Sequence, residues 1–137
     1  MNVWMYYIGE LVRAQLENRK TAPIPSEINL DVLIEFSVKN HMNYLLMGAL
    51  LQTDASEEHK EKLRYYVKNS TMRTVMQVME IKEIQKRFEA EGIRHQFMKG
   101  SCMKFMYPTP QMREMSDMDV LIHDESMNKA SFVLKEM

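Results

Sequence analysis

The chain has 137 residues, 45% of them hydrophobic, and its 18 basic and 19 acidic residues give a net charge near −1. This length predicts about one domain with enough apolar residues for a core. The balanced charge gives no bulk electrostatic reason to expect long nucleic acid or an anionic membrane as a partner.

The N-terminal segment predicts a helix rather than a targeting signal. It lacks the positive flank and the cleavage site of a signal peptide, and Trp4, Tyr7, Ile8 and Leu11 recur at helical spacing in a helix predicted to end near Lys20. No apolar run approaches the ~20 residues that span a bilayer. Cys102, the only cysteine, excludes an internal disulfide framework and favours a reducing compartment. We therefore expect a cytoplasmic protein with no membrane partner.

A helical hairpin is predicted next. After the proline-containing loop 21–25, residues 26–29 offer helix caps for an apolar helix. The polar segment 39–41 predicts a turn, and residues 44–51 predict the returning helix. Gly48 within that helix indicates a close internal contact.

A long helix is predicted from about Asp54 to Gly92. Asp54 and Glu57 have the spacing of a capping box, and Gly92 is a natural residue to follow the C-terminus. The polar segment 69–71 favours a bend, because such side chains bond locally rather than line a buried helix interior. The predicted apolar face consists of Leu63, Val67, Val75, Met79, Ile84 and Phe88.

A strand, a glycine-serine turn and a short helix follow. Residues 93–98 alternate roughly between apolar and polar, and a helix is predicted over 102–107 before Pro108 and Pro110 end it. Gly100 allows close backbone approach to a phosphate, and Ser101 lies at a helix start, where free amides attract phosphate oxygens. A helix-capping role for Ser101 remains an alternative.

Two carboxylates stand at the head of the apolar run 120–122, which predicts a short buried strand. Residues i and i+2 of a strand share a face, so Asp117 and Asp119 should project together while Met118 and Val120 face the core. Adjacent carboxylates repel each other, and such hard oxygen donors suit Mg²⁺ or Mn²⁺. Alternating acids also occur on solvated strand edges, and that interpretation stays open for the two residues taken alone.

Several short motifs occur in a characteristic order between residues 93 and 137: Met98–Ser101, Tyr107–Pro110, Arg113 and Asp117–Ile122. Together they resemble the uncharacterised bacterial nucleotidyltransferase group of the DNA polymerase beta-like nucleotidyltransferase superfamily. The expected fold is α+β and predominantly helical. A helical region, 1–91, would precede the first part of a nucleotidyltransferase-like mixed sheet, 92–137.

The resemblance implies metal-dependent transfer of a nucleoside monophosphate from an NTP substrate to an unidentified hydroxyl acceptor. Asp117 and Asp119 would be the catalytic residues and the ligands of Mg²⁺ or Mn²⁺. The implied nucleotide-binding residues are Lys99, Gly100, Ser101 and Arg113.

A third catalytic carboxylate is expected on a later strand, and the sequence ends at Met137 inside a helix predicted from Glu125. We therefore expect an N-terminal fragment that is inactive alone. The alternative is a non-catalytic nucleotide-sensing or protein-interaction module. A strand edge and a methionine-rich surface also favour self-association.

Overall fold

A computed structural model describes residues 2–137, which form a predominantly helical α+β fold, 65% helical with one small sheet. This confirms the fold class expected from the sequence. The long helix α4, Glu57–Ala90, contributes side chains to two separate hydrophobic clusters. The N-terminal helices pack around the first cluster and the sheet packs on the second.

The first hydrophobic cluster joins helix α1 (Val3–Leu16), helix α2 (Leu30–Lys39) and the segment that follows them. That segment is a π-helical turn, Asn43–Met47, continued by the short helix α3, Gly48–Leu50. The buried members of the first hydrophobic cluster are Tyr7, Ile8, Leu11, Ile28, Leu33, Ile34, Leu46, Met47, Ala49, Leu50 and Leu63.

Local capping sets the ends of these helices. Asn2 and Asn29 accept backbone N–H bonds as N-caps of α1 and α2. Helix α1 ends at Leu16, before the predicted Lys20, because Asn18 adopts a left-handed φ of 50° and the Arg19 amide bonds back to the Ala14 carbonyl. This is the Schellman arrangement, in which asparagine can replace glycine.

Gly48 makes the close contact that the sequence indicates. A Cβ added there would lie 2.5 Å from Nε2 of Gln15. That nitrogen donates to the Tyr44 carbonyl at 3.2 Å. A side chain at position 48 would therefore disturb the bond that ties α1 to the π-helical turn.

Helix α4 differs from its prediction at its start and on its buried face. Its N-cap is Ser56, which accepts from the His59 amide, and Asp54 lies outside it. Val75 and Met79 are exposed, so their assignment to the apolar face was wrong. Gly92 follows the helix with φ 65°, as predicted. The residues that line the inner face are Leu63, Val67, Ser70, Thr74, Gln77, Ile81, Ile84 and Phe88.

The C-terminal part consists of a two-stranded antiparallel sheet and short helices. Strand β1 is His95–Met98, helix α5 is Gly100–Met103, strand β2 is Asp119–Ile122 and helix α6 is Met127–Lys135. One face of the sheet covers the second hydrophobic cluster, whose buried members are Ile84, Phe88, Ile93, Ala130 and Val133. Among residues 2–137, no helix combines the length and apolar character needed to cross a membrane.

Candidate functional site

The antiparallel register brings the glycine-serine turn to the acidic strand. Met98, the last residue of β1, pairs with Asp119, the first residue of β2. Because β1 ends where β2 begins, the segment Lys99–Ser101 leaves the sheet at the end where the acids stand.

Asp119 faces away from the core, as the strand alternation predicts, and Asp117 lies in the bend just before β2. Met118, Val120 and Ile122 pack against the second hydrophobic cluster. Asp117 is exposed and Asp119 is half-buried. A soluble ligand can therefore reach both carboxylates.

Lys99 connects the turn to the strand. Its Nζ lies 3.2 Å from Oδ2 of Asp119. Its backbone has φ 48° and ψ −127°, a region that a residue with a Cβ rarely occupies. Strained non-glycine residues cluster at functional sites, where surrounding structure holds them in place. The strain at Lys99 is therefore a second mark of a site at this end of the sheet.

Gly100 and Ser101 form the first turn of helix α5, and both are buried. A Cβ on Gly100 would lie 2.9 Å from Cβ of Met115, so the glycine lets the loop before β2 approach the turn. The Ser101 hydroxyl points toward the Met115 sulfur at 3.9 Å. Lys99 makes no side-chain cap bond to the helix, so its side chain does not satisfy the amides at the start of α5, and these amides can serve a ligand.

Arg113 lies in the loop that leads to the acids. Its Nη1 donates to the Glu114 carbonyl at 2.6 Å. In the described part of the chain the ion-pair partner of Asp119 is Lys99, so Arg113 is the more remote of the two predicted cationic residues.

The structure also shows a polar layer that the sequence interpretation missed. Both oxygens of Glu114 are occupied: Asn43 Nδ2 donates at 3.1 Å to one and the Ser70 hydroxyl donates to the other. Ser70 is buried in the middle of α4, where a bend was expected. It is tolerated there because its partner comes from the loop before β2 rather than from its own helix.

Gln77, about two helical turns after Ser70, completes this layer. Its Nε2 donates to the Met115 carbonyl at 2.9 Å, and its Oε1 accepts from Lys104 Nζ at 3.1 Å. Lys104 is fully buried. Burial, together with the nearby Arg113 charge, lowers the pKa of Lys104, while Glu114 opposes that shift. The layer thereby anchors both ends of the segment 104–115 to helix α4.

A signal for this layer is present in the sequence. Positions 63, 67, 70, 74, 77, 81, 84 and 88 alternate in steps of four and three, the spacing of one helix face. Ser70, Thr74 and Gln77 occupy the middle of that row. A count of apolar residues alone passes over them and takes Val75 and Met79 instead.

Asp117 and Asp119 are a pair without a third protein ligand among the described residues, since no group of three or more His, Cys, Asp or Glu side chains in 2–137 could hold a metal ion. Two carboxylates suit an ion that takes its other ligands from water and substrate phosphates. The arrangement can thus offer two oxygen ligands and one ammonium group at the same edge.

Comparison with curated proteins and with solved structures gives no match. Residues 26–137 match the family described as uncharacterised nucleotidyltransferase. The matched region begins after helix α1 and before helix α2, so it includes helices α2 to α4 as well as the motifs in 93–137. Because this region covers most of the chain, the protein belongs to the uncharacterised nucleotidyltransferase family.

Proposed function

We propose that the protein acts in metal-dependent transfer of a nucleoside monophosphate from an NTP to a hydroxyl acceptor. The observation that carries the proposal is the pairing of Met98 with Asp119. In a chain of a nucleotidyltransferase family, this pairing sets the Lys99–Ser101 turn beside the acidic strand.

Asp117 and Asp119 fit a divalent cation such as Mg²⁺ or Mn²⁺. The Asp119 carboxylate already attracts one positive group, the Lys99 ammonium, and Asp117, just before the strand, is open to solvent. Held by these two carboxylates, such an ion would supply Lewis-acid activation of the attacking hydroxyl and charge stabilisation for the leaving pyrophosphate.

The turn supplies the groups that would hold the triphosphate. Lys99 is 72% exposed in its side chain and can move from Asp119 to a phosphate oxygen. The amides of Gly100 and Ser101, at the start of α5, are free of intrahelical bonds by their position. Arg113 can add a guanidinium fork if its loop shifts toward the nucleotide.

The transfer itself is a substitution at the α-phosphorus. The acceptor oxygen forms a bond to this phosphorus while the bond to the bridging oxygen of the β-phosphate breaks. Pyrophosphate leaves with the bonding electron pair, and the acceptor hydroxyl releases its proton to solvent. The protein's share is to position the two reactants and to stabilise the developing negative charge.

The experiment is a calorimetric and NMR titration of the chain with ATP and GTP, each with and without Mg²⁺ or Mn²⁺. The test variant is Asp117→Asn/Asp119→Asn. The matched control is Asp124→Asn/Glu125→Gln, which removes two exposed carboxylates just after β2.

We expect metal-dependent nucleotide binding by the parent chain and by the control, and none by the test variant at unchanged helical circular dichroism. Binding that persists without both acids contradicts the proposal. A test variant that loses its helical signal makes the acids structural. A folded parent chain that binds neither nucleotide also contradicts the proposal.

A further inference from the structure

A cavity of about 270 Å³ lies on the inner face of α4, between the turn at His41–Asn43 and the loop residues Glu114 and Met115. It is smaller than the ~300–1,000 Å³ typical of pockets for drug-sized ligands, and it suits a single sugar ring.

The cavity contains a fixed hydrogen-bond acceptor. Glu114 lines it, and the Asn43 amide and Ser70 hydroxyl hold its carboxylate in one orientation. Each carboxylate oxygen accepts about two hydrogen bonds, so both oxygens retain capacity for a further donor. Hydroxyl groups of a ligand are suitable donors.

Two aromatic rings form another wall. Tyr65 and Tyr66 line the cavity and meet edge to face at a centroid distance of 5.4 Å. Aromatic surface beside a carboxylate and amides suits the mixed C–H and O–H surface of a sugar, because the rings cover its apolar patches while the polar groups bond its hydroxyls.

Arg73 adds a positive group to the same lining. Its side chain is exposed, and it forms no ion pair with any residue in 2–137. A guanidinium fork matches the geometry of a phosphate group and binds it with two hydrogen bonds.

Met115 connects the cavity to the candidate site. It lines the cavity, and on its other side it contacts Gly100 and Ser101. Met115 therefore belongs both to the cavity lining and to the surroundings of the proposed triphosphate turn, and Asp117 follows it by two residues.

From these features we infer that the cavity binds a monosaccharide phosphate, with its hydroxyls on Glu114 and its phosphate on Arg73. The role of this ligand as the hydroxyl acceptor rests on the function proposed above. The binding itself depends only on the cavity.

The test is an NMR titration of the full chain, without nucleotide, using ribose 5-phosphate and glucose 6-phosphate. Glucose and inorganic phosphate are titrated separately, to distinguish sugar from anion recognition. The variants are Arg73→Gln and Glu114→Gln. The matched control is Arg64→Gln, on the same helix but outside the cavity, where Arg64 pairs with Glu57 at the surface.

We expect saturable shifts of the cavity residues with at least one sugar phosphate, and weaker ones with glucose or phosphate alone. Arg73→Gln should weaken this binding roughly tenfold or more, as expected for lost charge-assisted bonds, and Arg64→Gln should leave it within about twofold. Glu114→Gln, which keeps the shape of the side chain, should weaken binding of the sugar phosphates but not of inorganic phosphate.

Three outcomes overturn the inference: no saturable shifts, equal losses in Arg64→Gln and Arg73→Gln, or inorganic phosphate binding as tightly as the sugar phosphates. If metal-dependent ATP binding persists while sugar-phosphate binding fails, only this inference falls. If sugar phosphate binds and ATP does not, the proposed transfer falls and the cavity site stands.

Discussion

The Lys99 ammonium lies 3.2 Å from the Asp119 carboxylate, and the backbone of Lys99 is strained, with φ 48°. The pair is largely exposed, so its direct contribution to stability is small. Its position is more informative than its strength, because it places a positive group at the acidic end of the sheet.

Replacing Lys99 separates backbone strain from the ion pair. Both Lys99→Gly and Lys99→Ala remove the ammonium, but only glycine adopts this backbone without a Cβ clash. We expect the free energy of unfolding of Lys99→Gly to be about 1 kcal/mol higher than that of Lys99→Ala. Chemical denaturation of both variants checks this, and equal stabilities would show that residue 99 relaxes freely.

Gly100 should tolerate no side chain. A Cβ there would lie 2.9 Å from Cβ of Met115, which is not a flexible side-chain end. We expect Gly100→Ala to lower the free energy of unfolding by about 1–3 kcal/mol. The control is Gly9→Ala in helix α1, where no atom lies within 4 Å, and this change should stabilise by about 0.5–1 kcal/mol. Thermal or urea unfolding measures both, and a neutral Gly100→Ala would contradict the close packing.

The pH dependence of stability should include a contribution from Glu10. Arg19 donates to both of its carboxylate oxygens, at 2.7 and 3.0 Å, and lowers the pKa of Glu10 from 4.5 to about 2. Because the folded pKa is the lower one, the stabilisation is full above the unfolded value and is lost as the pH falls toward 2.

Side-chain carbonyl NMR measures the titration of Glu10 directly. A range of about pH 1.5–6 brackets both the lowered pKa of about 2 and the ordinary value of 4.5. Unfolding curves of Glu10→Gln should show a shallower loss of stability in that range than those of the parent. Glu58→Gln, an exposed acid on α4, is the control and should follow the parent. A Glu10 pKa near 4.5 would contradict the bidentate contact.

The second hydrophobic cluster should depend strongly on Phe88, which is fully buried. Its ring meets that of His95 edge-on at 5.2 Å. We expect Phe88→Ala to cost about 3–5 kcal/mol. Phe132→Ala makes the same chemical change at a residue that is 62% exposed, and it should stay within about 0.5 kcal/mol. Denaturant unfolding compares the two, and similar values would mean that the cluster is not a packed core.

Local patterns in the sequence predicted much of this fold because their causes are local. Gly92 ends α4 through its own left-handed backbone, and the alternation around Val120 fixed which face of β2 is buried. Ser70 and Glu114 could not be paired in this way, since 44 residues separate them. A polar residue on a buried helix face can be interpreted only once its distant partner is known.

The candidate site, too, could be predicted from local patterns only in part. The order of the motifs predicted that the turn would meet the acids, and the sheet register pairs Asp119 with Met98, the residue before the turn. The motifs did not predict that Lys99 rather than Arg113 would lie against Asp119, nor that Gly100 would be shaped by Met115. Those details depend on how the loop before β2 folds back, which no local pattern encodes.

The polar side chains in the middle of α4 also fix the position of this helix along its own axis. A slide of the helix by seven residues, about 10 Å along its axis, would keep the stepwise spacing of its inner face but set Ile84 where Gln77 stands. The Met115 carbonyl and the Lys104 ammonium would then lose their partner, at the cost of unsatisfied buried polar groups. An all-apolar face would accept such a slip easily. The bonds of Ser70 and Gln77 therefore hold the helix at one axial position, and with it the spacing between the N-terminal helices and the acidic strand.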